Sequence, residues 1–111
     1  NTGDKMFIIK FSAPWCAPCN KIKPIVGGHI ERLLLKYPEK LVTISIDIDK
    51  HLDLYGFLKR KKVVKGVPAI LVYRGTELQD HWYMPLDSVL GGSIDEVHKF
   101  FDRCNARLDK Q

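Results

Sequence analysis

The chain has 111 residues, 45% of them hydrophobic and 28% charged, with a formal net charge of +5. That length gives one domain with one modest core, and the composition is that of a globular, not a disordered, polypeptide. No apolar run approaches the roughly 20 residues that a membrane-spanning helix needs, and three cysteines are too few for a disulfide-framed mini-protein.

Met6 to Phe11 is apolar on both faces except at Lys10, the pattern of a central strand covered on both sides. Pro14 ends it. A helix is predicted from about Ala17 or Pro18, since proline is tolerated in a first turn. It continues through Ile22, Ile25, Val26, His29, Ile30, Leu33 and Leu34 at offsets of three and four, which make one apolar face. Pro24 removes a backbone hydrogen bond inside this helix and should kink it. Gly27 and Gly28 each weaken it by about 1 kcal/mol relative to alanine. Tyr37-Pro38-Glu39 is a stop and turn.

Leu41 to Ile48 alternates and is rich in β-branched residues, so it reads as a strand, closed by Asp47 and Asp49. A short helix is expected from His51 to Arg60 with Leu52, Tyr55 and Leu58 on one side. Gly66-Val67-Pro68 leads into a strand from Ala69 to Tyr73. Arg74-Gly75-Thr76 is a turn, Leu78 to Tyr83 is expected to return as the second strand of a hairpin, and Met84 to Gly92 is expected to be irregular. Ser93-Ile94-Asp95-Glu96 is a capping box for a last helix with core face Val97, Phe100, Phe101, Cys104 and Leu108. The order β-α-β-α-β-β-α predicts an α/β fold: a central mixed sheet of about four strands, the first two parallel and the last two an antiparallel hairpin, flanked by helices. One domain over 1–111 is the expectation.

Chemistry concentrates at Cys16 and Cys19. Two cysteines at C-x-x-C spacing, after a strand and at a helix N-terminus, are placed for thiol–disulfide exchange, because the unpaired N–H groups there stabilise a thiolate. Cys16, nearest the loop, is the candidate nucleophile and is expected to be the exposed one. Cys19, one turn on and deeper, is the resolving thiol. The competing structural-metal reading lacks ligands, since the sequence has no second C-x-x-C and no H-x₃₋₅-H partner. No cofactor is implied. Cys104 is expected to be a core residue, and His29 and His98 packing or surface residues. Cysteine usage fits a reducing compartment, and cytoplasmic residence is the expectation. The basic run Lys59-Arg60-Lys61-Lys62, with Lys65 nearby, is open to two readings: an anionic partner or a solvated helix end. No zinc-finger spacing or RNP-like pattern accompanies it, which argues against nucleic acid.

In combination these motifs resemble the thioredoxin family. Trp15-Cys16-Ala17-Pro18-Cys19 is similar to the family's W-C-G-P-C, and Pro24 matches its kinking proline. Ser45 to Asp49 resembles the end of its third strand, Gly66-Val67-Pro68 its cis-proline turn, and Gly91 its substrate-groove glycine. The resemblance covers about residues 6 to 108 and implies a protein-disulfide oxidoreductase. Its partners would be disulfide-containing proteins and a reductase or other dithiol as electron donor, with no membrane. It further implies a substrate groove around Trp15, Val67, Pro68 and Gly91, a cis Pro68, and tuning of the couple by Pro18. The alternative for Pro68 is a trans turn proline. The family's N-terminal strand and helix have no counterpart in the fifteen residues before Cys16, which would leave the Leu41–Ile48 strand at an exposed edge.

Lys10 departs most from the pattern: the family usually carries a buried aspartate there, six residues before the first cysteine. A protonated amine facing the thiols would favour thiolate and a more oxidising couple. A lysine reaching to solvent would do little. Both readings stand open, as do an oxidase or isomerase and a thioredoxin-like binding module beside the reductase.

Overall fold

The computed structural model describes residues 4–77 and 79–110. The elements are β1 (Met6–Ser12), α1 (Ala17–Lys36), β2 (Leu41–Asp47), a 3₁₀ turn (Ile48–Lys50), α2 (Leu52–Arg60), β3 (Ala69–Arg74), β4 (Asp87–Leu90) and α3 (Ile94–Asp109). Strand order is β2-β1-β3-β4. Helix α1 carries the chain from β1 to β2, which therefore pair in parallel, while β1–β3 and β3–β4 are antiparallel. β1 is thus interior, and β2 has a free edge among the described residues.

Register sorts the side chains of the sheet into two faces, because paired residues share a face and successive residues alternate. One face holds the rows Ile8–Thr43–Val72 and Lys10–Ser45–Ile70. Helices α1 and α3 cover this face, with Ile22, Val26, Leu33, Val97, Phe100, Phe101, Cys104 and Leu108 buried in a common cluster with Met6, Ile8, Ile70 and Val72. The other face holds the rows Phe7–Val42–Tyr73, Ile9–Ile44–Leu71 and Phe11–Ile46–Ala69. Leu58 of α2, Val63 and Val64 pack on it around Phe11, Ala69 and Leu71. Leu52, expected to share the buried side of α2, stands 65% exposed at the first position of the helix.

Helix α3 starts as its capping box requires, with Ser93 Oγ accepting from Glu96 N at 3.3 Å, and its five predicted core residues are all buried. Pro24 lies within α1 and is exposed.

The strand that pairs with β3 is not the predicted Leu78–Tyr83. Leu78 itself lies outside the described residues, and 79–86 form no strand. The partner is Asp87–Leu90, inside the stretch expected to be irregular. The aromatic side chains that make His81-Trp82-Tyr83 look like a strand are used in ring packing instead. Trp82 stacks on Phe57 at 5.7 Å, Tyr83 meets Phe57 edge-on at 5.5 Å, and His81 stacks on Tyr83 at 5.2 Å. Tyr73 Oη donates to the Tyr83 carbonyl at 2.8 Å and fixes this loop over β3. The β3–β4 pair is framed by Leu86 N donating to Val72 O at 2.8 Å and Gly91 N donating to Pro68 O at 2.9 Å.

Candidate active site

β1 and α1 deliver the two cysteines. After Ser12 the chain turns, with Cys16 N donating to Ala13 O at 3.1 Å. Cys16 is the N-cap of α1, and its side chain takes the place that a serine or aspartate oxygen holds in an ordinary cap: Cys19 N donates to Cys16 Sγ at 3.2 Å. An N–H aimed at the sulfur and the positive end of a 20-residue helix both favour negative charge there. Pro18, in the first turn, gives up no hydrogen bond by lacking an N–H.

Cys16 and Cys19 are joined in a disulfide with Cα atoms 5.2 Å apart. Their burial corrects the expectation that Cys16 is the exposed one: 4% of Cys16 and 5% of Cys19 is accessible. Cys16 packs in the same cluster as Phe11, Ala13 and Val64, and the loop before β3 closes over it, with the Val67 carbonyl oxygen 3.7 Å from Cys16 Sγ.

The Val67–Pro68 bond is cis, as the family turn implies. The Pro68 carbonyl accepts from Gly91 N, so this loop and the end of β4 are fixed to each other beside the disulfide. Gly91 has φ +96°, a conformation that side chains rarely adopt. Gly92 matters for space: a Cβ added there would stand 2.8 Å from Pro18 Cβ and 3.5 Å from Pro18 Cα. Sequence reading singled out Gly91 and missed Gly92, whose signal is only its position next to the Ser93 cap.

Trp15 is 66% exposed beside the cysteines. Its indole N–H donates to Asp49 at 3.0 Å (Oδ2) and 3.3 Å (Oδ1). Asp47 Oδ1 in turn accepts from Asp49 N at 3.0 Å and holds the 3₁₀ turn. The sequence marks both aspartates as strand-closing residues that cap or solvate the next turn, or that could supply the acid Lys10 displaces. The partnership of Asp49 with Trp15 spans 34 positions and has no local pattern.

Behind the disulfide lies a cavity of about 340 Å³ whose lining includes Lys10, Ser12, Cys19, Asn20, Lys23 and Asp47. Lys10 therefore shares a cavity with Cys19 while remaining partly exposed. Burial holds the Lys10 pKa below the usual lysine value of 10.5, and the neighbouring Lys23 charge lowers it further.

The remaining candidates lie elsewhere. Cys104 is fully buried, and burial pushes its thiol up to about 12. His29 stacks on Phe101 at 4.8 Å, and its Nε2 is 2.8 Å from His98 Nδ1, so both histidines serve the α1–α3 contact. No group of three or more metal-ligating side chains gathers among the described residues. No helix there is long and apolar enough to cross a membrane.

The family model described as Thioredoxin matches residues 1–88. Thioredoxin of Ophiophagus hannah is 36% identical over 77 residues, covering 69% of this chain and 65% of the relative. Thioredoxin H5 of Oryza sativa subsp. japonica is 28% identical over 101 residues, covering 91% and 63%. The chain thus spans 63–65% of the length of these two relatives. Among solved structures, the germline-specific thioredoxin Deadhead of Drosophila melanogaster superposes with TM-score 0.59 at 25% identity, covering 90% of this chain and 81% of that one. Oxidised mitochondrial thioredoxin 3 of Saccharomyces cerevisiae superposes with TM-score 0.60 at 19% identity, covering 92% and 81%, a likeness of fold.

Proposed function

The chain belongs to the thioredoxin family, and from that premise we propose that it is a thiol–disulfide oxidoreductase working on protein disulfides through the Cys16–Cys19 couple. One observation carries the reading. The Cys16 sulfur sits at the N-cap of α1, accepts the Cys19 N–H, and has its partner sulfur one turn away.

In the reducing direction, the Cys16 thiolate attacks one sulfur of a substrate disulfide. A mixed disulfide forms, and the second substrate sulfur leaves as a thiolate that takes up a proton. Cys19, after losing its proton, attacks Cys16 Sγ, closes the Cys16–Cys19 bridge and expels the other substrate sulfur as thiolate. Two electrons pass to the substrate, and a reductase or another dithiol restores them. The reading gives the backbone of Val67, next to cis Pro68, the task of pairing with an extended substrate segment. In the same reading Trp15, Gly91 and Gly92 form the substrate groove, with the Trp15 indole N–H held by Asp49. Cytoplasmic residence belongs to the same proposal and rests on the catalytic, not framework-forming, use of cysteine.

The oxidising direction is the second reading, and the location of Lys10 in the Cys19 cavity favours it. A cation there stabilises the dithiol relative to the disulfide.

The test follows reduction of a disulfide-bonded protein with dithiothreitol as electron source. Wild type turns over. Cys16→Ser is inactive, and Cys19→Ser accumulates a mixed disulfide through Cys16. Turnover by a Cys16→Ser/Cys19→Ser double variant equal to wild type overturns the assignment.

A further inference from the structure

A chain of three side chains links α1 to α3. Arg32 Nη2 stands 2.9 Å from His29 Nδ1, and His29 Nε2 stands 2.8 Å from His98 Nδ1. His29 is half-buried, its ring stacked on that of fully buried Phe101 with 8° between the planes. His98, exposed on α3, meets it edge-on at 5.0 Å.

The donors available fix the direction of each bond. A guanidinium can only donate, so Arg32 donates to His29 Nδ1, and that nitrogen carries no proton. The His29 proton is then on Nε2 and is donated to His98 Nδ1, which leaves His98 protonated on Nε2 alone. The chain is complete only while both imidazoles are neutral. A proton on His29 Nδ1 sets an N–H against the Arg32 guanidinium. A proton on His98 Nδ1 sets an N–H against that of His29 Nε2. His29 can relieve that clash only by moving its own proton to Nδ1 and giving up Arg32.

Charged groups reach the pair from both helices. Arg32 faces it from α1 and Asp102 from α3, while Asp95, one turn before His98, is taken by Lys99 at 3.0 Å. Asp102 and the ring face of Phe101 attract an imidazolium. Burial, Arg32 and His98 act the other way, and the His29 pKa lies below its ordinary 6.5. The stability supplied by neutral His29 is therefore full above about 6.5 and is lost as pH falls through the lowered folded value.

Just before these residues α1 is at its weakest. Pro24 offers the helix no N–H, and Gly27 and Gly28, which directly precede His29, have no side chain to hold them. At the far end of α1, Lys36 meets Asp109 of α3 at 3.4 Å, with both side chains about half exposed.

We propose that Arg32, His29 and His98 form an acid-sensitive clasp, closed at neutral pH and opened by protonation of either imidazole, which loosens residues 29–36 of α1 from α3. The cysteines lie in the first turn of α1, on the other side of Pro24, so the clasp does not rest on the proposed activity.

The test is NMR spectroscopy of the ¹⁵N-labelled chain. At pH 7.5, long-range ¹H–¹⁵N spectra should show His29 and His98 both protonated on Nε2 alone. Amide hydrogen exchange at Leu33, Leu34 and Leu35, corrected for its intrinsic pH dependence, should be about threefold faster or more at pH 5 than at pH 7.5. The amides of Ile8 and Ile9 in β1 should change less. His98→Leu, at an exposed site, should show the faster exchange already at pH 7.5. His98→Gln, whose carboxamide oxygen accepts without titrating, should restore protection there.

Three results would overturn the proposal. They are a neutral His29 protonated on Nδ1, exchange at Leu33–Leu35 that is the same at both pH values, and a His98→Leu protein with the pH response of wild type.

Discussion

Replacing Lys10 by methionine keeps the alkyl stem and removes the charge from the cavity that Lys10 shares with Cys19 and Asp47. For a cation and a thiolate that line one cavity, Coulomb's law with a separation taken as about 6–8 Å and an effective dielectric constant of about 20–40 gives about 1–3 kcal/mol in favour of the thiolate. Lys10 is half-buried and the cavity also holds the Asp47 carboxylate, so the lower part of that range applies. About 1.4 kcal/mol corresponds to one pKa unit and, for a two-electron couple, to about 30 mV. The charge stabilises the dithiol, so the Lys10→Met couple should lie about 30 mV lower than wild type when both are equilibrated against glutathione buffers.

Protonation of Lys10 sets how that difference depends on pH. Burial and Lys23 lower the Lys10 pKa, so the gap between the two potentials closes on alkaline titration earlier than an ordinary lysine would allow. The same shift bears on stability with the opposite sense. Below the lowered folded pKa the cost of burying the ammonium is fully present. As pH rises toward the unfolded value near 10.5, the folded lysine sheds its proton first and stability is regained. The oxidised Lys10→Met protein should therefore melt higher than wild type at neutral pH, with a gain that shrinks at alkaline pH. Potentials agreeing within about 5 mV, with the fold intact, would refute the electrostatic argument.

Three further outcomes follow from the packing. A thiol-reactive dye at pH 8 should label no cysteine in the oxidised native protein and one after unfolding, because Cys104 is buried and its thiol is held near 12. Gly27→Ala and Gly28→Ala should each raise the urea midpoint, by up to about 1 kcal/mol in stability, since both are helical and exposed and a Cβ at either meets nothing within 4 Å. Gly92→Ala should cost about 1–3 kcal/mol and slow alkylation of reduced Cys16, because its Cβ meets the rigid Pro18 ring at the start of α1. An unchanged alkylation rate would mean that Pro18 can yield without moving the cysteine.

What the sequence made legible tracks how local each signal is. The strand at Met6–Ser12, the 20-residue α1 and the Ser93 cap declare themselves within a few positions, through apolar runs, 3.6-residue spacing and a capping pair. β4 does not. It is four residues long, buries only Val89, and is placed by bonds from its flanks to Val72 and Pro68. The stronger β signal beside it, in His81-Trp82-Tyr83, belongs to rings that stack on Phe57. At the site, Cys16 and Cys19 were visible as a motif, but the burial of Cys16 depends on Val67, 51 positions away. Asp49 and Gly92 likewise owe their places to Trp15 and Pro18 across the fold.

The bridge between Cys16 and Cys19 encloses only Ala17 and Pro18. The entropic bracing of a crosslink grows with the logarithm of the length of chain it ties off, so a bridge around two intervening residues braces a fold less than one across a long loop. More of the bracing falls to the two apolar clusters on either side of the sheet, the second of which includes the two cysteines. The bridge is thus a small part of what holds together the scaffold that aims the two sulfurs.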